Sequence, residues 1–114
     1  MLQEWMGMRK RRNGYYAQES YAGYGLTRER VKILLKECRA GRHTDLVQEA
    51  ARQTEPYIAK WIISSIMEGK SFHEMEIKWE LGKDEKMPCC RNSFYAYRKL
   101  TLAALDKMLT ERTA

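Results

Sequence analysis

The residues of this 114-residue chain that could carry chemistry are few, and their spacing fits neither catalysis nor metal binding. Metal ligation would require Cys38, His43, His73, Cys89 and Cys90 to converge, yet no C-x-x-C or H-x-x-x-H spacing is present. Neither histidine is matched by a serine, cysteine or carboxylate in an arrangement that would activate a nucleophile. We therefore expect no enzyme activity, no metal and no cofactor.

The cysteines and the apolar runs indicate the compartment. Three cysteines cannot all pair with one another, and a bridge between the neighbours Cys89 and Cys90 would be strained, so reduced thiols are expected. No apolar run approaches the length that a bilayer requires, and the N-terminus lacks the apolar stretch of a signal peptide. These features predict a cytoplasmic protein without a membrane partner.

The net charge of +6 is distributed unevenly along the chain. Residues 1–26 carry +2, residues 27–43 carry +4, residues 44–87 carry −3 and residues 88–114 carry +3. Such asymmetry favours a polyanionic partner for the basic parts. The acidic middle, which includes Glu76 and Glu80 at helical spacing, is either a solvated face or a surface for a basic protein.

The apolar residues repeat at helical spacing, and no strand pattern competes with them. We predict an all-α protein of about five helices. The first is capped by Thr27, the second by Thr44 or Asp45, and the third by Thr54. The fourth begins with the capping box Ser71–Glu74 and ends near Gly82. The first helix is predicted over about 27–40, the fourth over 71–81 and the last over about 91–111, and Gly69 ends the third.

The N-terminal part differs from the rest because it has no sustained period and contains a run of basic residues. We expect residues 1–26 to form a flexible basic arm and residues 27–114 to form the helical domain. The basic run either contacts phosphates or the minor groove, or is a solubilising tail. It consists of Arg9, Lys10, Arg11 and Arg12.

The last two helices are arranged as in a helix-turn-helix, at about residues 71–111. In that motif one helix braces across the backbone of DNA, and the side chains that begin the second reach base edges in the major groove. Arginine suits guanine and asparagine suits adenine. Because Phe94, Tyr97 and Thr101 form the inner stripe, we predict a DNA-binding outer face composed of Arg91, Asn92, Ser93, Tyr95, Arg98 and Lys99.

The segments from Gly69 to Ile77, Leu81-Gly82 and Pro88 to Lys99 resemble region four of sigma factors. More narrowly, the Phe-Tyr-x-x-Arg segment that begins at Phe94 is similar to sigma-like regulators of Gram-positive phages and integrated elements, the ArpU and RinA type. The similarity extends over about residues 55–110. It departs from the pattern at Cys90, where a serine is usual, and in the longer connection before Cys90.

The resemblance implies a role for each matching position. It implies that Cys90 caps the recognition helix and that Arg98 or Lys99 faces the DNA backbone. The core positions would be Phe94, Tyr97, Thr101 and Leu105. The base-facing positions would be Arg91, Asn92, Tyr95 and Ala96.

We therefore expect a transcriptional regulator of a phage or mobile genetic element that binds duplex DNA, with RNA polymerase as a further partner. One alternative is a helical protein-interaction module that contacts RNA polymerase or another regulator through residues 44–87. Another is an RNA-binding or packaging protein that uses the basic arm.

Overall fold

The computed structural model describes residues 21–113, and every regular element in that range is a helix. The all-helical class and the five α-helices expected from the sequence are therefore confirmed for this part of the chain. Short 3-10 turns at Tyr21–Tyr24 and Pro56–Ile58 precede the first and third α-helices. The α-helices are α1 (Arg28–Arg39), α2 (Thr44–Thr54), α3 (Ala59–Glu68), α4 (Phe72–Glu80) and α5 (Arg91–Thr113).

Helix α1 begins at the predicted cap. The Thr27 hydroxyl accepts a hydrogen bond from the Arg30 N–H at 3.0 Å, which satisfies a backbone donor that the first turn leaves free. The buried residues Val31, Leu34 and Cys38 recur at helical spacing and give the helix one apolar side. Next to this apolar side, Arg30 forms an ion pair with Asp106 of α5 at 2.6 Å.

Two predicted caps are wrong, and both errors involve threonine. His43, rather than Thr44 or Asp45, precedes α2, and the Thr44 hydroxyl donates to the Gly41 carbonyl at 3.3 Å. Thr54 is the last residue of α2, where its hydroxyl donates to the Ala50 carbonyl at 2.8 Å. A threonine hydroxyl can bond backwards to a carbonyl as readily as it can cap, so residue type alone does not decide.

Helix α3 ends as predicted at Gly69, which adopts a left-handed conformation with φ of 74°. This turn also meets α1, because a Cβ atom placed on Gly69 would lie 3.3 Å from Nε of Arg39. A larger residue at Gly69 would therefore be strained in its backbone and crowded by the Arg39 guanidinium.

Helix α5 is the central element of the described fold. It packs against α1, α2, α3 and the turn at Tyr21–Tyr24. Leu26 is buried as well, so residues 21–26, predicted as part of the arm, belong to the helical body. The Arg9–Arg12 run lies outside the described residues. The fully buried core residues include Leu34, Val47, Ala50, Ala51, Ile62, Ile66, Phe94, Leu102 and Leu105.

Among the helices of residues 21–113, none combines the length and hydropathy that crossing a bilayer requires.

Candidate nucleic-acid interface

Helix α4 has a well-defined start, and this start is its link to α5. The Ser71 hydroxyl accepts from the Glu74 N–H at 3.1 Å, and the Glu74 carboxylate accepts from the Ser71 N–H at 3.0 Å, so the predicted capping box is confirmed. The next backbone donor, the Phe72 N–H, donates to the Tyr95 hydroxyl of α5 at 3.0 Å. Side-chain groups thus satisfy three backbone donors at this first turn, those of Ser71, Phe72 and Glu74.

An aromatic cluster fixes the two helices to each other. The Phe72 ring lies 5.5 Å from the Trp79 ring and 5.7 Å from the Phe94 ring, centroid to centroid. Phe94 in turn packs edge-to-face on Tyr95 at 5.2 Å. Rings at these distances attract one another beyond the area they bury. Phe94 is fully buried, as its predicted core position requires.

The connection between the helices, residues 81–90, is too long for a tight helix-turn-helix turn. Residues 81–86 are all exposed, whereas Met87 is 1 % exposed. The Cys89 thiol lies 3.6 Å from the Met87 sulfur, and Glu85 forms an ion pair with Lys60 of α3. This connection is therefore anchored at Met87 rather than free along its whole length.

Cys90 stands directly before the first turn of α5. Its carbonyl accepts from the Phe94 N–H at 2.9 Å, which closes the first helical turn. The Cys90 sulfur lies 3.4 Å from the Ser93 hydroxyl, and hydrogen bonds from the side chain and backbone of Ser93 lower the pKa of the Cys90 thiol. Ser93 is thus occupied at the helix start and is half-buried rather than on an open outer face.

Arg91 and Asn92 are the exposed polar residues of the first turn of α5. They form no ion pair or hydrogen bond through their side chains to other described residues. Three residues later Phe94 fixes the rotation of the helix, so both side chains project where the sequence pattern predicts. Their placement at a helix N-terminus adds the partial positive charge of the helix dipole to the Arg91 guanidinium.

The other residues of the predicted outer face are not fully exposed to solvent. Arg98 is half-buried, and its Nε donates to the hydroxyl of the buried Ser65 in α3 at 2.9 Å. Tyr95 and Lys99 are half-buried too, and Ala96, placed in a base-facing position by the resemblance, is 0 % exposed. The physical reason is that α5 packs against neighbours on more than one side, so a single outer stripe does not exist.

The sequence contains an apolar pattern that marks a second buried side of α5. Ala96, Leu100 and Ala103 recur at i, i+4 and i+7, which is helical spacing, and they lie away from Phe94 and Thr101. All three are buried or half-buried. A helix with two such stripes is an internal helix, and only its ends remain available to a partner.

A second group of basic residues, on α1, went unassigned by the sequence pattern although residues 27–43 carry +4. Arg28, Lys32, Lys36 and Arg39 are all exposed. Their spacing of four, four and three residues is the signal that could have identified them.

The two histidines and the carboxylates form no metal site within the part of the chain that the structure describes. His43 Nε2 lies 2.7 Å from the Glu37 carboxylate, and this contact lowers the pKa of Glu37. His73 Nδ1 lies 3.5 Å from the Glu76 carboxylate.

Comparisons with protein families, with curated proteins and with solved structures find no match for the chain.

Proposed function

We propose that this protein binds duplex DNA as a transcriptional regulator and inserts the first turn of α5 into the major groove. The observation that carries the proposal is the pair Arg91 and Asn92, exposed side by side at the start of a 23-residue helix. Phe94, fully buried two positions after Asn92, prevents rotation of that turn. A groove-reading element needs this combination of exposed polar ends and a rigid support.

The chemistry of the pair suits base edges. A guanidinium can bond both O6 and N7 of guanine, and a carboxamide can bond N6 and N7 of adenine. Since Arg91 and Asn92 share one helical turn, they would contact base pairs that lie close to each other. We infer a short, specific contact made by one turn rather than by the long face that the sequence pattern predicts.

Helix α4 supports this turn instead of reading bases. Its first turn is bonded to Tyr95, and its Phe72 ring packs on Phe94 of α5 and on Trp79 of α4 itself. In a helix-turn-helix the first helix has this bracing role. The resemblance to sigma region four extends the proposal to a regulator encoded by a phage or mobile element.

The exposed apolar residues of α4 favour a second candidate, a module that contacts RNA polymerase or another regulator. Ile77 is 42 % exposed and Leu81 is 64 % exposed, and they lie one helical turn apart. Glu80 is exposed beside them. An apolar pair bordered by acidic charge fits a basic protein surface better than it fits DNA.

Single substitutions in the first turn test the DNA proposal. A duplex enriched from a random pool and a scrambled duplex of the same length are titrated with the parent, Arg91→Ala and Asn92→Ala proteins. Each substitution should weaken binding to the enriched duplex by about 1–3 kcal/mol and relax preference at particular base pairs. Circular dichroism should show unchanged folding, because both side chains are exposed.

Lys107→Ala is the matched control, since Lys107 is an exposed basic residue of the same helix, about four turns further along. The Lys107→Ala protein should prefer the enriched duplex over the scrambled duplex to the same extent as the parent. If folded Arg91→Ala and Asn92→Ala proteins bind both duplexes like the parent, α5 does not read DNA and the protein-interaction candidate is favoured.

A further inference from the structure

One side of α1 carries a row of basic side chains that the proposed groove contact does not use. Six residues of this helix are exposed, and four of them are basic. The four follow one another at i, i+4, i+8 and i+11, so they lie along one side of a helix with 3.6 residues per turn. We call Arg28, Lys32, Lys36 and Arg39 the basic stripe.

The rotation of α1 is fixed, so the basic stripe faces away from the core. Leu34 and Cys38 are buried on the opposite side of the helix. Arg30, one turn before Leu34, forms an ion pair with Asp106 and so helps to hold this side of α1 against α5. The exposure of the stripe is thus a consequence of packing and persists as long as α1 is folded.

Within the described part of the chain, the basic stripe is not neutralised by carboxylates. Among residues 21–113 no carboxylate forms an ion pair with any of its four members, whereas Arg52 pairs with Glu49 and Lys60 with Glu85. Cations aligned at one-turn intervals repel one another, and a polyanion that runs along them relieves this repulsion.

One end of the stripe lies beside the turn between α3 and α4. Arg39 lies against Gly69, and Lys70 follows in the turn between α3 and α4. From there α4 begins at Phe72, whose N–H donates to Tyr95, and Tyr95 lies one turn after Arg91. Contacts between neighbouring residues therefore lead from the stripe to the proposed groove-reading turn.

The charge of the two lysines at this junction is partly balanced by nearby carboxylates. Lys70 pairs with Glu68 at 3.1 Å, and the neighbouring Lys70 ammonium lowers the pKa of Lys78. The basic stripe, rather than this junction, therefore carries the positive charge that has no ion-pair partner among residues 21–113.

We infer that the basic stripe binds the phosphate backbone of the same duplex that receives the first turn of α5. The inference rests on the proposed function. From Arg28 to Arg39 the helix rises about 16 Å, the length of roughly five base pairs along a duplex. Contacts of this kind set the position and orientation of a protein on DNA and add affinity that falls with salt.

Removal of three stripe charges tests the inference. The parent and an R28Q/K32Q/K36Q variant are titrated with a labelled mixed-sequence duplex over a series of salt concentrations. Arg39 is kept because it contacts the turn at Gly69. Each lost phosphate contact should lower the slope of log affinity against log salt by about 0.9, so the slope should fall by about 2.7.

An R52Q/K60Q/K107Q variant is the charge-matched control, because it removes three exposed positive charges located on other helices. For this control the slope of log affinity against log salt should fall by less than about one, which is the loss expected for a single phosphate contact. A charge-preserving R28K/K32R/K36R variant should retain the slope of the parent. If the stripe and control variants lose equal slope, the stripe is not a contact surface and the inference is overturned.

The remaining outcomes separate the two proposals. A parent that binds no duplex at low salt overturns the proposed function and this inference with it. A parent that prefers its enriched duplex through Arg91 and Asn92, combined with an unchanged slope in the stripe variant, overturns the inference alone. A loss of slope on double-stranded RNA but not on duplex DNA overturns it as well.

Discussion

The Cys90 thiol, directly before α5, differs chemically from the other two cysteines. Hydrogen bonds from the Ser93 side chain and backbone lower its pKa, and it is exposed. Burial raises the pKa of Cys38 to about 11 and that of Cys89 to about 11. Since the thiolate is the reactive form, the three residues should react at different rates.

We expect iodoacetamide to alkylate Cys90 first at mildly alkaline pH. A lowered pKa means that the Cys90 thiolate is already populated below the usual titration range of a thiol, whereas Cys38 and Cys89 stay protonated until the pH approaches 11. Tandem mass spectrometry of timed samples distinguishes the adjacent residues Cys89 and Cys90.

Ser93→Ala is the control for the cause of this reactivity. Removal of the hydroxyl should raise the pKa of Cys90 and slow its alkylation near neutral pH, while the alkylation of Cys38 should not change. Equal labelling of Cys89 and Cys90 in the parent would contradict the assignment.

The placement of individual site residues shows what the sequence could and could not predict. Arg91 and Asn92 could be placed because they need only the register set by Phe94 within one helix. The environment of Tyr95 and Arg98 could not be predicted, because their hydrogen-bond partners lie in α4 and α3, which are distant in sequence. Local periodicity orients a residue on its own helix but does not specify which neighbours pack there.

At the scale of the elements, α4 is the helix whose stability depends most on its start. It has only nine residues, and short helices are marginal without stabilised ends. Its capping box and the bond from Phe72 to Tyr95 occupy its first donors. A weaker start should therefore loosen the support beneath the first turn of α5.

Replacement of Ser71 by alanine should lower the free energy of unfolding by about 1 kcal/mol, because the Glu74 N–H loses its acceptor. Urea unfolding followed by circular dichroism measures the change. Ser71→Asp is the matched variant, since a carboxylate also caps and favours the positive end of the helix. An alanine variant as stable as the parent would show that this cap does not stabilise the fold.

The element boundaries also show where sequence interpretation succeeds. Thr27 and Ser71 were identifiable because a hydroxyl there is followed by a regular apolar period and, after Ser71, by Glu74. Thr44 and Thr54 bond to carbonyl groups of preceding residues instead. That choice depends on how the chain enters the next helix, which packing decides.

At the scale of the whole molecule, α5 joins the other elements into one unit. It packs against three helices and the first 3-10 turn, and Phe94 connects it to the fourth helix through Phe72. The described fold should therefore lose its structure in one cooperative transition rather than helix by helix.

Phe94→Ala should destabilise the protein by about 3–5 kcal/mol, because it leaves a cavity among the aromatic rings that hold α4 on α5. Thermal unfolding followed by circular dichroism should show a lower midpoint and a single transition. Glu111→Ala, at an exposed position near the end of the same helix, should cost almost nothing. An unchanged melting temperature for Phe94→Ala would mean that the register of α5 is wrong.

The burial of Met87 determines where the connection between α4 and α5 tolerates inserted residues. The backbone N–H groups of Leu81, Gly82 and Lys83 bond to carbonyls of α4, so residues inserted after Lys83 and before Met87 lie beyond that helix end and need not alter the path by which the chain enters α5. Residues inserted after Met87 would displace Cys90 and the first turn. A residue that carries a fluorophore could therefore be inserted between Lys83 and Met87 while both ends of the connection stay intact.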